Sequence, residues 1–287
     1  MLKKSSLSIL LVSTATLGCA STVKEVSLPP TPAQMSQARP FFGLKHRIAI
    51  AKFEDKTGYG NNLFGAVDDL GGQAADVLST HLVKTGEFVI IERQALPELQ
   101  KEAALQGQTP QLASVTALAV GAVTEFGTKS EWVDHGLSKT KVQTAHAKVA
   151  IRLIDPKTGV AFFSEFGEAD ARNESSQTLG FGGHAGYDAT LTDKALNGAI
   201  AKLTGNMMIS LHARPWRAPI VDVQGNTVAI GAGKSSNLRP GMTLSVYKPG
   251  KKVVNKAANT TMELPGTVIG RLKVATLFGE GIGEGAM

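Results

Sequence analysis

Few residues in this chain have the types and spacing that catalysis or metal binding requires. The six histidines never lie three or four residues apart, the spacing that sets two metal ligands on one helical face; they are His46, His81, His135, His146, His184 and His212. No serine stands in a Gly-x-Ser-x-Gly turn, which exposes the nucleophile in many hydrolases. The sequence therefore predicts no catalytic residue, no metal site and no cofactor, and we expect the protein not to be an enzyme.

A glycine-rich stretch, Gly231 to Ser235, resembles the end of a phosphate-binding loop. The full motif needs a glycine five positions before Gly233, where Val228 stands, and a helix after the loop. Residues 237–241 instead predict a turn into a strand, so the backbone amides would not converge on a phosphate. We interpret the stretch as a β-hairpin turn.

The single cysteine, Cys19, suggests a covalent modification. It follows Gly18 at the end of an apolar stretch, residues 7–17, that is too short for a spanning helix of about 20 residues. This order resembles the lipobox of bacterial lipoproteins, although Thr16 stands where leucine is preferred. We expect residues 1–18 to be a lipoprotein signal peptide and Cys19 to carry acyl chains such as palmitate. The alternative is an ordinary signal peptide with an incidental cysteine.

Composition restricts the remaining possibilities. Because an acylated Cys19 leaves no thiol for a disulfide, the apolar core must stabilise the fold, and a hydrophobic content of 43% is ordinary for a globular protein. The formal net charge of +6 falls to +4 once Lys3 and Lys4 leave with the signal peptide. No basic stripe is interleaved with aromatic residues, so we expect no nucleic-acid partner.

The rest of the chain divides into three segments. Residues 19–44, rich in Pro, Ser, Thr and Gln, predict a lipidated tether. Residues 45–215 alternate strand-like and helix-like patterns, which predict an α/β (α+β) domain with a mixed sheet flanked by helices. Residues 216–287 contain short strand patterns separated by glycine turns, which predict a small, barrel-like all-β module.

Three patterns locate elements of the main domain. Lys141 to Asp155 predicts a half-buried strand, with His146 on its solvent face and an apolar face made of Ala145, Ala147, Val149, Ile151 and Leu153. A turn at 155–159 then predicts a returning strand at Val160 to Phe166, and Asp188 to Leu211 predicts a long helix. Gly86 is expected to end an earlier helix, just before a short apolar strand.

The order of these features resembles the CsgG family of outer-membrane lipoproteins, named for the curli secretion channel. The resemblance covers residues 45–212 and is carried by Ala51-Lys52-Phe53 with Thr57-Gly58, Gly86-Glu87-Phe88, Glu92-Arg93-Gln94, Glu102, and Leu153-Ile154-Asp155 with Thr158-Gly159. It implies a protein anchored by lipid to the periplasmic side of the bacterial outer membrane. It also implies a homo-oligomeric ring that contacts secreted polypeptide subunits or other envelope assembly proteins. The β module resembles the C-terminal domain of FlgT-like proteins and is absent from the curli channel itself.

The resemblance also implies a pore constriction. In the resembling channel, the loop after the first strand narrows the pore with Tyr, Asn and Phe side chains, and Tyr59, Asn62 and Phe64 occupy similar positions here. The alternative is a surface loop whose Phe64 packs into the core.

A pore also needs strands that cross the membrane. Gln177 to Tyr187 alternates apolar and small or polar residues over a length that suits a spanning strand. Gly127 to Thr144 does not alternate in this way, because Asp134 and Lys139 interrupt it. The alternative function is therefore a non-pore scaffold or regulator, such as a flagellar or envelope ring component or a cell-wall synthase activator of the LpoB type.

Overall fold

A computed structural model describes residues 41–59, 69–93, 96–105, 114–134, 136, 138–178, 188, 190–255 and 260–287. The predicted signal peptide, most of the tether with Cys19, the loop residues Asn62 and Phe64, and most of the predicted strand at 177–187 lie outside these ranges.

The main sheet contains six strands: β1 (His46–Ile50), β2 (Glu54–Asp55), β3 (Phe88–Glu92), β4 (Ala117–Asp134), β5 (Ser138–Ile154) and β6 (Ala161–Thr178). Their order is β3-β1-β4-β5-β6, and β2 pairs beside them with β4. β1 is parallel to both β3 and β4, whereas β4, β5 and β6 form an antiparallel meander. The sheet is therefore mixed, as the sequence predicts.

Three α-helices are described: α1 (Leu70–Thr85), α2 (Leu96–Leu105) and α3 (Thr190–His212). Asp69 caps the start of α1 by accepting a hydrogen bond from the Gly72 amide at 2.8 Å. Gly86 ends it in the left-handed conformation with φ of 68°, which confirms the predicted helix end. α1 and α3 contact each other and contribute side chains to one apolar cluster with the sheet.

β5 carries the central part of this core. Its five predicted apolar residues, Ala145, Ala147, Val149, Ile151 and Leu153, are all fully buried. Gly167 on β6 lies on the same face, so close to α3 that a Cβ there would stand 2.0 Å from the Ala199 carbonyl oxygen. The opposite face of β5 presents His146 and Lys148, both only half-buried, as the alternation predicts.

The last three strands of the sheet are longer than predicted. β6 extends to Thr178, although the sequence suggested an end near Phe166. β4 and β5 pair without interruption up to Asp134 and Lys139, apart from a bulge near Thr124. Residues 127–134 and 139–146 therefore form a regular antiparallel pair, because backbone pairing tolerates polar side chains that hide the alternation in the sequence.

Residues 216–287 form short antiparallel strands around a second apolar cluster, which includes Ile230, Leu238 and Val274. The strands are β7 (Ile220–Gln224), β8 (Thr227–Ile230), β9 (Thr243–Lys248), β10 (Lys252–Asn255), β11 (Thr260–Glu263), β12 (Thr267–Lys273), β13 (Leu277–Phe278) and β14 (Gly285–Ala286). They pair as β13-β14-β8-β7, β12-β9 and β10-β11. The all-β character agrees with the sequence, while the 215/216 boundary stays a prediction.

Candidate functional site: the distal ribbon and the domain junction

The outer parts of the meander form a three-stranded ribbon, whose inner end still packs on the apolar core through Ala145 and Ala171. We call residues 127–134, 138–146 and 170–178 the distal ribbon. At about 3.3 Å per residue, the 18 residues of β4 span about 60 Å, and its last six residues are all exposed. Asp134 closes the tip by accepting a hydrogen bond from the Gly136 amide at 2.9 Å and pairing with Lys139 at 3.7 Å.

Both faces of the distal ribbon carry charged side chains. On one face Lys129 pairs with Glu131 at 2.5 Å and Arg172 with Glu174 at 2.8 Å. On the other face Lys141 lies opposite Trp132, whose side chain is 52% exposed. A membrane-spanning strand presents an unbroken apolar face to lipid.

A charged network covers the open face of the sheet at the base of the ribbon. Lys148 donates to Glu125 at 2.7 Å, and this hydrogen bond and charge lower the pKa of Glu125 and raise that of Lys148. His146 contacts Asp170 at 2.8 Å on the neighbouring strand. The Lys148 ammonium also lies 4.8 Å from the ring of Phe166, which is 63% exposed. The sequence pattern placed His146 on the solvent face of β5, but it gave no signal for the partners on β4 and β6.

Tyr59 packs at the same end of the sheet. Its hydroxyl lies 3.1 Å from the Thr128 hydroxyl, and its ring meets Phe126 edge-on at 4.6 Å. Upstream, Asp55 accepts hydrogen bonds from the amide and hydroxyl of Thr57, which fixes the turn that leads to Tyr59. The chain therefore leaves Tyr59 beside the ribbon. Asn62 and Phe64 lie outside the described residues, so the pore ring of these three residues stays a prediction.

A second group of contacts joins the main domain to the β module. Arg47 pairs with Glu284 at 3.4 Å and donates to the Gly231 carbonyl at 3.4 Å. Glu284 also accepts hydrogen bonds from the amide (2.8 Å) and hydroxyl of Ser235. Gly231 to Ser235 is not a hairpin turn, because β8 before it pairs with β7 and β14 whereas β9 after it pairs with β12. The stretch instead runs into a 3-10 helix, Lys234–Ser236.

The segment that follows the tether lies in this junction. Asn237 donates to the Gly43 carbonyl at 2.8 Å, and the Trp216 indole donates to the Lys45 carbonyl at 3.2 Å. Leu44 packs against the apolar cluster of the β module. The exit point of the predicted tether is therefore held by residues far apart in sequence, which sequence patterns did not reveal.

Two histidines pack into an aromatic cluster beside the junction. The His212 ring stacks on Phe88 at 5.2 Å and contacts Phe41 at 5.2 Å, and its Nε2 lies 2.7 Å from a Glu87 carboxylate oxygen. His46 is buried next to it, and its Nδ1 has no hydrogen-bond partner in the described part of the chain. Burial lowers the pKa of His46, and the charges of His212 and Arg214 lower that pKa further.

Among the described residues, no cluster of His, Cys, Asp or Glu has the geometry of a metal site. The described helices also include none that is long and apolar enough to cross a membrane.

Comparison with known proteins supplies the family. The model of the CsgG family, described as the curli production assembly/transport component, matches residues 31–239. A curated protein of Neisseria meningitidis serogroup B, named as a lipoprotein, is 30% identical over 182 residues, which cover 62% of this chain and 81% of the relative. The descriptions of the family and of this relative name no catalytic activity.

Solved structures with a related arrangement are more distant. The PelC dodecamer of Paraburkholderia phytofirmans has 17% identity and a TM-score of 0.28, over 63% of this chain and 95% of that chain. The LpoB C-terminal domain of Escherichia coli has 12% identity and a TM-score of 0.26, over 48% and 95%. The family match alone spans most of the sequence, and the chain therefore belongs to the CsgG family and is a lipoprotein of the cell envelope.

Proposed function

We propose that this protein is anchored by acyl chains on Cys19 to the periplasmic side of the outer membrane. There it assembles as a homo-oligomeric ring that serves secretion or assembly of a surface structure. Its membership in the CsgG family is the observation that carries this proposal. The lone cysteine after a targeting sequence supports the anchor.

A test in cells uses the lipid site. A strain lacking the protein is complemented with the wild type, with Cys19→Ser, or with Cys19→Ser carrying an unrelated lipoprotein leader with its own cysteine. We expect the deletion strain to lose an exported surface component. The wild type and the re-anchored form should restore this component, whereas Cys19→Ser should not. An unchanged surface in the deletion strain, or full rescue by a soluble Cys19→Ser protein, contradicts the proposal.

Mass spectrometry of the native N-terminus tests the anchor directly. We expect cleavage before Cys19 and acyl chains on that residue. An unmodified cysteine would remove the anchor from the proposal while leaving the family assignment intact.

A non-pore scaffold is the second candidate, and one observation favours it. The distal ribbon has charged side chains on both faces, including Lys129, Glu131 and Lys141, and burying these in lipid would be costly. In this form the ring would surround or recruit other envelope components without conducting. Ion conductance of purified particles across a planar bilayer separates the two candidates.

A further inference from the structure

The β module contains a cleft of about 250 Å³ between two strands that do not pair with each other. Two consecutive runs line it, Asn226–Val228 at β8 and Arg271–Ala275 at β12. Successive side chains of a strand point to opposite faces of its sheet. A run of consecutive residues can therefore line one cleft only where the strand presents its backbone edge to that cleft. The cleft is therefore bounded by two backbone edges.

Within the described part of the chain, the stretches of the two edges that line the cleft, Thr227–Val228 of β8 and Arg271–Lys273 of β12, have no strand paired with them on that side. β8 pairs with β7 on its other side, and β12 pairs with β9 on its other side. On the cleft side, β8 has only the single pair Ile230 with Ala286. Free N–H and C=O groups along such edges favour pairing with another extended chain.

At one end of the cleft, a strand of the protein itself, β14, already lies between β8 and β13. β14 lies there, antiparallel to both β8 and β13. Met287 continues its line by donating to the Thr276 carbonyl at 3.0 Å and accepting from the Ala275 amide at 2.6 Å. At this end, β8 and the segment Ala275–Thr276 that follows β12 are thus one strand apart. A chain extended along the same line would run between Thr227–Val228 and Arg271–Val274, which line the two sides of the cleft.

The side chains of the cleft indicate what it would accept. Val228, Leu244 and Leu272 are partly buried against the apolar cluster of the module and form a floor. Arg271 and Lys273 are exposed at the rim, and neither is paired with an acidic side chain among the described residues. An apolar floor with a basic rim suits a strand whose apolar residues alternate with acidic ones.

We propose that this cleft, the strand slot, binds an extended segment of a partner protein by β-augmentation. The segment runs antiparallel to β8 and β12, places apolar side chains on the floor and places acidic side chains beside Arg271 and Lys273. Main-chain hydrogen bonds supply affinity and the alternating side chains supply selectivity. The described residues that line this cleft include none of the residues predicted to surround a pore, Tyr59, Asn62 and Phe64.

Fluorescence anisotropy with the full-length protein in detergent tests the strand slot. The probe is a labelled hexapeptide in which valine alternates with aspartate, compared with the same peptide carrying lysine in place of aspartate. We expect saturable binding of the acidic peptide and at least roughly tenfold weaker binding of the basic one, because two charge pairs become repulsive. Methylating alternate backbone nitrogens of the acidic peptide should abolish binding, since one row of donors is lost.

Charge reversal provides the matched variants. The exposed double variant Arg271→Glu/Lys273→Glu should reverse the preference between the two peptides, whereas Lys251→Glu/Lys252→Glu, with the same net change outside the slot, should not. Three results would overturn the proposal. The wild type could show no saturable binding of the acidic peptide, or it could bind the N-methylated peptide as tightly as the unmodified one. The variant Arg271→Glu/Lys273→Glu could also keep the wild-type preference for the acidic peptide. If the wild type binds no peptide and Arg271→Glu/Lys273→Glu also lowers the particle mass, the slot would instead be assigned to a second copy of the chain.

Discussion

Arg47 and Glu284 lie 237 positions apart in the chain and form one partly buried ion pair. Their side chains are 13% and 5% exposed, and the Glu284 carboxylate is shared with Ser235. Arg47 belongs to β1, beside the centre of the main sheet, and Glu284 directly precedes β14 of the β module. The pair therefore connects the two apolar clusters of the protein.

Removing the charge of Glu284 should destabilise this connection. Glu284→Gln leaves the Arg47 guanidinium without its counter-ion in a poorly solvated position, and we expect a loss of about 2–3 kcal/mol in the free energy of unfolding. Urea unfolding followed by tryptophan fluorescence measures it, because Trp216 lies in the same junction. Glu280→Gln, an exposed change in the same segment, is the control, and equal stability of the two variants would show that the ion pair contributes nothing.

Gly167 should tolerate no side chain. A Cβ there would stand 2.0 Å from the Ala199 carbonyl oxygen, so Gly167→Ala must push α3 away from β6 and should cost about 1–3 kcal/mol. Gly127→Ala, in strand β4 of the same sheet, meets no atom within 4 Å and should change stability little. Chemical unfolding of both variants measures the difference. A Gly167→Ala protein as stable as Gly127→Ala would mean that α3 does not pack as described.

The sequence predicted those elements whose local pattern matches their final surroundings. Ala145, Ala147, Val149, Ile151 and Leu153 alternate because one face of β5 is buried and the other is open. The ends of β4 and β6 were missed because their outer residues carry polar side chains on both faces and leave no periodic signal. The Gly231 to Ser235 turn was misinterpreted because its partner, Glu284, is distant in sequence. Contacts of that kind depend on tertiary structure and have no local pattern.

His46 should make stability depend on pH. Because burial lowers its folded-state pKa below the ordinary value of 6.5, the unfolded chain takes up a proton more readily as the pH falls. The stability is therefore complete above pH 6.5 and declines below it, by at most about 1.4 kcal/mol per pH unit for each such histidine. His81, whose pKa is also lowered by burial, acts in the same direction.

Unfolding free energies between pH 7.5 and pH 5.5 measure this effect. His46→Leu should reduce the slope and the double variant with His81→Leu should reduce it further. A slope in His46→Leu equal to that of the wild type would assign the pH dependence to other groups.

Phe64 distinguishes the channel from the scaffold. If Tyr59, Asn62 and Phe64 surround a pore, Phe64→Ala widens the narrowest point in every subunit and should raise the conductance of reconstituted rings without loss of assembly. If Phe64 packs in the core, the same change should cost about 3–5 kcal/mol and lower the yield of folded protein. Planar-bilayer recording measures the conductance, which should rise in the first case. The yield of purified protein should fall in the second case. If the wild type and Phe64→Ala both form stable particles that do not conduct ions, the non-pore scaffold is the function that remains.

Imaging of detergent-extracted particles tests the central claim that this lipoprotein works as a ring. The native, lipidated protein is purified without cross-linking, its mass is measured by light scattering, and the particles are class-averaged by electron microscopy. The account predicts particles several times the 30.1 kDa of one chain, with rotational symmetry about a central opening. Monodisperse monomers at the membrane concentration of the protein, or assemblies without rotational symmetry, would contradict it.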